Sequence, residues 1–189
     1  MKVLSTALIL AVVGVSSSAK AANAAKGDDV AASVKLGSPV DQLLDVFSGM
    51  YAHLFPMREI IYEACDQKSL TVFTFTEEPW SRGRITQIWI RKAEDKSVCR
   101  DETGALPDVK NEAITARGLR LDDPESKVSA LYGKPNKINQ GAHGEKVLIY
   151  ELKPSGAKVE HIKLAVTIIG AKVNGFSLFG DMPGVKKPE

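Results

Sequence analysis

The sequence predicts an α+β fold of two tandem repeats, each a short helix followed by an antiparallel β-meander. Three matched segments carry that expectation. "VKLGSPVDQLLDVFSG" (34–49) lies over "LRLDDPESKVSALYG" (119–133), with Leu36 on Leu121, Pro39 on Pro124, Leu43 on Val128, Val46 on Leu131 and Phe47 on Tyr132, all 85 positions apart. "IYEA" (61–64) lies over "IYEL" (149–152), and "RITQIWI" (84–90) over "KVNGFSL" (172–178), both at a shift of 88. Segments that match in order at nearly constant spacing point to a duplication.

Each unit reads in the same order. A short extended piece (Val34 and Leu36; Leu119 and Leu121) leads to a helix start. Ser38 or Asp123 is expected at the N-cap, with Pro39 or Pro124 at the first helical position, where a missing N–H costs nothing. Apolar residues recur at helical spacing in Leu43, Val46, Phe47 and Met50, and again in Val128, Leu131 and Tyr132. Gly49 and Gly133 end the helices, and Pro135 follows the second. Strand-like runs come next, near 59–66, 69–76 and 84–91 in the first unit and 146–152, 158–169 and 172–179 in the second. Lys68–Ser69, Pro154–Ser155–Gly156 and Gly170–Ala171 supply the turns between them. The chain therefore divides into a first repeat (25–100), a linker (101–116) containing Gly104 and Pro107, a second repeat (117–180) and a loose tail (181–189).

Residues 1–24 are expected to be a signal peptide. Lys2 gives a positive start, Val3 to Val15 an apolar stretch too short to span a membrane, and Ala21 or Ala24 a cleavage site. That makes the mature protein exported, periplasmic or secreted from a bacterium, with no membrane span. The whole chain has 25 basic and 23 acidic residues; losing Lys2 and Lys20 leaves 23 against 23. A neutral chain with interspersed charge lacks the electrostatic premise for nucleic-acid binding. In an exported protein Cys65 and Cys99 are most simply a disulfide, which would stabilise by about 3–4 kcal/mol on the chain-entropy model.

The pattern "GLRLDDPESKVSALYGKPNKI" followed by three strands resembles the β-lactamase-inhibitor-protein-like superfamily. That group includes tandem-repeat secreted inhibitors, the small lipoprotein of the outer-membrane β-barrel assembly machine, and extracellular modules fused to other domains. The resemblance implies a fold of helix-plus-meander repeats and carries over no particular partner. The chain has no lipobox cysteine and lacks a cysteine pair within each half.

No H-E-x-x-H, P-loop, G-x-S-x-G or G-x-G-x-x-G occurs, and His53, His143 and His161 have no partner at ligand spacing. The expectation is a non-enzymatic protein with no cofactor, no metal and no catalytic residue. Its partner would be another envelope or extracellular protein, held as by an inhibitor, immunity or assembly factor.

Strand alternation puts Thr86, Ile88 and Ile90 on the core face and Ile85, Gln87, Trp89 and Arg91 on the open one. The "TEEPWSRGR" loop (76–84), where the second unit has only Gly170–Ala171, adds Trp80 and Arg82 as a recognition loop. Each has a plainer reading: Trp89 packs under the linker, and Trp80 caps the core edge. "GMYAHLFPMRE" (49–59) either continues the first helix or covers the repeat interface. Tyr62 and Tyr150 are expected in the core with hydroxyls reaching a polar edge, and Glu63 and Glu151 on the surface. The alternatives are a binder of a small ligand or cell-wall fragment in a groove between the units, or a hydrolase with an unrecognised site.

Overall fold

Alternating Val, Ile, Phe and Thr residues build long strands that pair into one sheet. The computed structural model describes residues 28–55, 59–101, 104–141, 144–154 and 159–183; the expected leader and the end of the expected tail lie outside these residues. In chain order the elements are β1 (Val30–Ala31), β2 (Val34–Lys35), α1 (Val40–Val46), β3 (Tyr51–Leu54), β4 (Ile60–Asp66), β5 (Thr71–Glu77) and β6 (Ile85–Lys92). A 3-10 turn (Lys96–Cys99), β7 (Arg100–Asp101) and β8 (Gly104–Ala105) follow. The chain then forms α2 (Glu125–Tyr132), β9 (Lys137–Gln140), β10 (Lys146–Leu152), β11 (Ile162–Ile169) and β12 (Lys172–Gly180). Helix and strand are thus mixed, and the sheets are antiparallel throughout.

The main sheet has eight strands in the order β3-β4-β5-β6-β12-β11-β10-β9. It is closed at its centre by the antiparallel pair β6 and β12, in which Trp89 stands opposite Ser177. One face is covered. A row of core side chains crosses all six long strands, Tyr62–Phe75–Ile88–Leu178–Leu164–Tyr150. Against this face pack Leu43 from α1 and Phe47 at its C-cap, Val128 from α2, and Val34, Leu36 and Leu119 from the segments before the helices. The Phe47 ring lies 5.3 and 5.0 Å from the rings of Phe73 and Phe75, which fixes α1 over β5.

The same backbone hydrogen bonds recur along the chain. Val40 N–H donates to Gly83 O and Glu125 N–H to Ala171 O; Gly37 N–H donates to Ile85 O and Asp122 N–H to Val173 O. Pro39 bridges to Arg84 and Pro124 to Lys172. The β5–β6 and β11–β12 ladders each shift register at one place, leaving Thr86 and Asn174 without a cross-strand partner. Every one of these residues has its counterpart 85 or 88 positions away, the shifts read from the sequence.

Four expectations need correction. The prolines themselves are the N-caps, with extended backbones (ψ 149° in both) and no side-chain cap bond, so Ser38 and Asp123 lie one residue earlier. The physical reason is the pair of bridges just described: each proline must stay extended to meet the neighbouring strand before its helix turns. Residues 51–54 form neither more helix nor a cover over the centre; they are the edge strand β3, paired with Ile60–Glu63. The tetrapeptides "IYEA" and "IYEL" lie on corresponding strands but out of step. Through the central pair, Tyr62 corresponds to Leu148 and Ala64 to Tyr150, a slip of two residues that keeps both tyrosines on the core face. Finally, Tyr150 is fully buried and its hydroxyl has no hydrogen-bond partner among the described residues, whereas the Tyr62 hydroxyl donates to Glu77 Oε2 at 3.1 Å.

Residues 101–116, read as the linker, are tied into the fold. Leu106 and Val109 are buried, Cys65 N–H donates to Pro107 O, Val109 N–H donates to Cys65 O, and Ala32 N–H donates to Ile114 O. This segment runs alongside β4 where β3 has ended, so it continues the sheet's edge.

Candidate functional site

The face of the sheet turned away from the helices is centred on β6. Its alternation puts Ile88 and Ile90 into the core and Gln87, Trp89 and Arg91 on the outer face. Gln87, Trp89 and Arg91 stand on the outer face as expected, but Ile85, expected with them, is buried in the core, because the register shift at Thr86 reverses the alternation before Gln87. Cross-strand pairing sets what surrounds each. Gln87 lies between Thr76 and Phe179, Trp89 between Thr74 and Ser177, and Arg91 between Val72 and Gly175.

Those neighbours are small where the large side chains stand. Thr74 and Ser177 are buried beside an indole that is 41% exposed. A Cβ at Gly175 would lie 3.1 Å from Ile90 O and 3.2 Å from Arg91 Cβ, so the glycine leaves the arginine its room. The Arg91 guanidinium carbon sits 5.3 Å from the Trp89 ring centroid, a cation–π distance. Its Nε is buried with no hydrogen-bond acceptor among the described residues. Phe179, 38% exposed, continues the apolar surface from Gln87 toward β11. Simple alternation groups Phe179 with Val173, Gly175 and Ser177, but the register shift at Asn174 turns Val173 into the core.

One corner of this face is covered. Cys65 and Cys99 are joined as expected, with 5.5 Å between their Cα atoms. The bridge anchors a small apolar cluster of Cys65, Val72, Ala93, Cys99 and Leu106. Trp89 itself is 41% exposed.

The 76–84 hairpin loop is placed differently from the open face. Val40 N–H donates to Gly83 O, Gly37 N–H to Ile85 O, and the Arg84 guanidinium to Gly37 O at 2.9 Å, which fastens the loop to the start of α1. Arg82 is exposed with a left-handed backbone (φ 54°), Gly83 follows at φ 76°, and Trp80 is half-buried. Trp80 and Arg82 therefore belong to the helix-side end of the hairpin, while Gln87, Trp89 and Arg91 share the sheet face.

Three tyrosines on the covered side have raised pKa values, Tyr150 by burial and then by the Glu125 carboxylate. Tyr62 is pushed up to about 12 by burial and then by the Glu77 carboxylate. Tyr132 is pushed up to about 12 by burial, against the lowering effect of its hydrogen bond with Thr115. The Tyr62 hydroxyl is bonded to the Glu77 carboxylate and the Tyr132 hydroxyl to that of Thr115.

Among the described residues no cluster of three or more His, Cys, Asp or Glu side chains could hold a metal ion, and no helix is long and apolar enough to cross a membrane. No family model, curated protein or solved structure matches the chain.

Proposed function

We propose that this chain is an exported, non-enzymatic binding module that captures another envelope or extracellular protein on the outer face of its sheet. The observation that carries the reading is Trp89: a large aromatic, substantially exposed, at the centre of an eight-stranded face with Arg91 beside it and small residues around it. Trp and Arg are the residue types that dominate binding energy when a partner excludes water from them. The size of the face also fits. Seven strand spacings and about seven residues of strand length give roughly 34 by 23 Å. That is close to the area of about 800 Å² that one side of a standard protein–protein interface buries.

We read the two halves as copies of one helix-and-meander unit, on the recurring hydrogen bonds and the paired bulges at Thr86 and Asn174. The reading goes with the resemblance to the β-lactamase-inhibitor-protein-like superfamily, and inhibition, immunity and envelope assembly are the roles it suggests. The disulfide Cys65–Cys99 suits the periplasm or the extracellular space.

A photo-crosslinking residue placed in turn at Trp89, at Thr167 on the same face, and at Leu44 on the helix side tests the assignment. Adducts with one partner from positions 89 and 167, absent from 44 and reduced by Arg91→Ala, are expected. Equal crosslinking from Leu44 would overturn the choice of face. Adducts unaffected by Trp80→Ala would remove the 76–84 loop from the surface.

A further inference from the structure

We propose that a polar cleft at the other end of the sheet binds a small zwitterion, either a free α-amino acid or the free ends of a short peptide. The cleft has a volume of about 460 Å³ and opens between the β4–β5 turn, the end of β6, and residues 111–113 and 120–122. That is within the usual size of small-ligand sites, about 300–1,000 Å³. It lies away from the hairpin loop 76–84 and on the side of the sheet that carries the helices.

Its lining offers both charge signs at close range. Lys92 Nζ lies 2.6 Å from Asp122 Oδ1, and Arg120 Nη2 lies 3.4 Å from Glu112 Oε2. Asp66 and Thr71 add acceptors and a hydroxyl from the sheet side. Exposed ion pairs of this kind hold little free energy. A ligand carrying one carboxylate and one ammonium can therefore exchange places with them, its carboxylate on Arg120 and Lys92 and its ammonium on Asp122 and Glu112. A ligand with a single charge would satisfy one sign and leave the other unpaired, which disfavours it.

The cleft is a departure from what the rest of the fold does in the same place. Thr71, Lys92 and Asp122 correspond, through strand pairing and shared hydrogen bonds, to Ile162, Gly180 and Gly37. There the space is closed: Ile162 and Val159 are buried, and a Cβ on Gly180 would lie 2.5 Å from Val159 Cγ1 and 3.2 Å from Leu36 Cδ1. Apolar packing in one half is thus replaced by opposed charges around open space in the other. Asp122 also holds a left-handed backbone (φ 65°) where the other half has Gly37 (φ 76°), so a carboxylate stands at a position that glycine fits without strain.

Titration calorimetry with L-alanine, dialanine, N-acetyl-dialanine and dialanine amide tests the proposal on the full chain. Saturable binding of dialanine at about millimolar or tighter is expected, with each blocked form at least about tenfold weaker. Binding of alanine as well as dialanine identifies the amino acid; binding of dialanine alone identifies the peptide ends. Asp122→Gly, which suits the backbone and keeps the chain folded, should abolish the penalty for N-acetylation, and Arg120→Gln the penalty for the C-terminal amide. No saturable heat from alanine or dialanine up to about 10 mM, or equal affinity for the blocked forms, would overturn it. Trp89→Ala should leave all four affinities unchanged, which separates this site from the sheet face.

Discussion

Removing one oxygen from each of two tyrosines should change stability in opposite directions. Tyr62 and Tyr150 stand at the two ends of one core row, and both are buried. Tyr62 donates to Glu77 Oε2 at 3.1 Å, because β4 pairs Ile60 with Glu77 and Tyr62 lies two residues along on the same face. Tyr150 lies two residues deeper in its own strand, between Leu148 and Leu152, and its hydroxyl finds no partner among the described residues.

Tyr62→Phe loses a hydrogen bond to a carboxylate at a partly solvated end, a cost of about 1 kcal/mol. Tyr150→Phe removes a buried hydroxyl without opening a cavity. An unsatisfied buried group costs about 1–3 kcal/mol, so a gain of about 1 kcal/mol is expected, or a rise in Tm of about 2–4 °C for a chain of this size. Urea unfolding of the oxidised protein, followed by circular dichroism, measures both. If Tyr150→Phe were as destabilising as Tyr62→Phe, the reasoning about the unpartnered hydroxyl would be refuted.

Reducing the disulfide, or the double change Cys65→Ser with Cys99→Ser, should lower stability by about 3–4 kcal/mol for a sequence separation of 34. Amide hydrogen exchange should then rise first at Leu106 and Val109, whose neighbours the bridge holds, and unchanged exchange there would contradict that role. The tyrosines set an alkaline limit. Tyr62 and Tyr132 are raised from 10.0 to about 12 in the folded chain, so folding favours their protonated forms. That stabilisation is complete below pH 10 and is lost as pH rises through 12, and ultraviolet titration should show these two ionising late. Ionisation of all four tyrosines near pH 10 while the chain stays folded would refute it.

Much of this architecture could be read from side-chain patterning, because burial on one face imposes alternation. The six long strands fall within a few residues of the expected runs, and Gln87, Trp89 and Arg91 share a face as alternation requires. What patterning missed lacks that physical signal. All four residues of β9 are exposed, so no core face marks it as a strand. β3 carries Leu54 outward at 73% exposure, which made its apolar residues resemble a helical stripe. The slip between "IYEA" and "IYEL" was hidden because a shift of two residues returns every side chain to the same face. The cleft depends on Asp66, Lys92, Glu112 and Asp122 meeting from four separate segments, which no local pattern records.

The pairing of Trp89 with Ser177 has a consequence for direction. The two residues stand directly opposite each other in an antiparallel pair, so a local half-turn axis of the backbone passes between them. A ligand that felt only the backbone contour of this surface would find two equally good poses, one the reverse of the other. An indole on one side of the axis and a hydroxymethyl group on the other remove that degeneracy. With Arg91 set against Phe179 and the disulfide cluster over one corner, the indole gives the surface a single polarity, so whatever is laid across it has a defined head and tail.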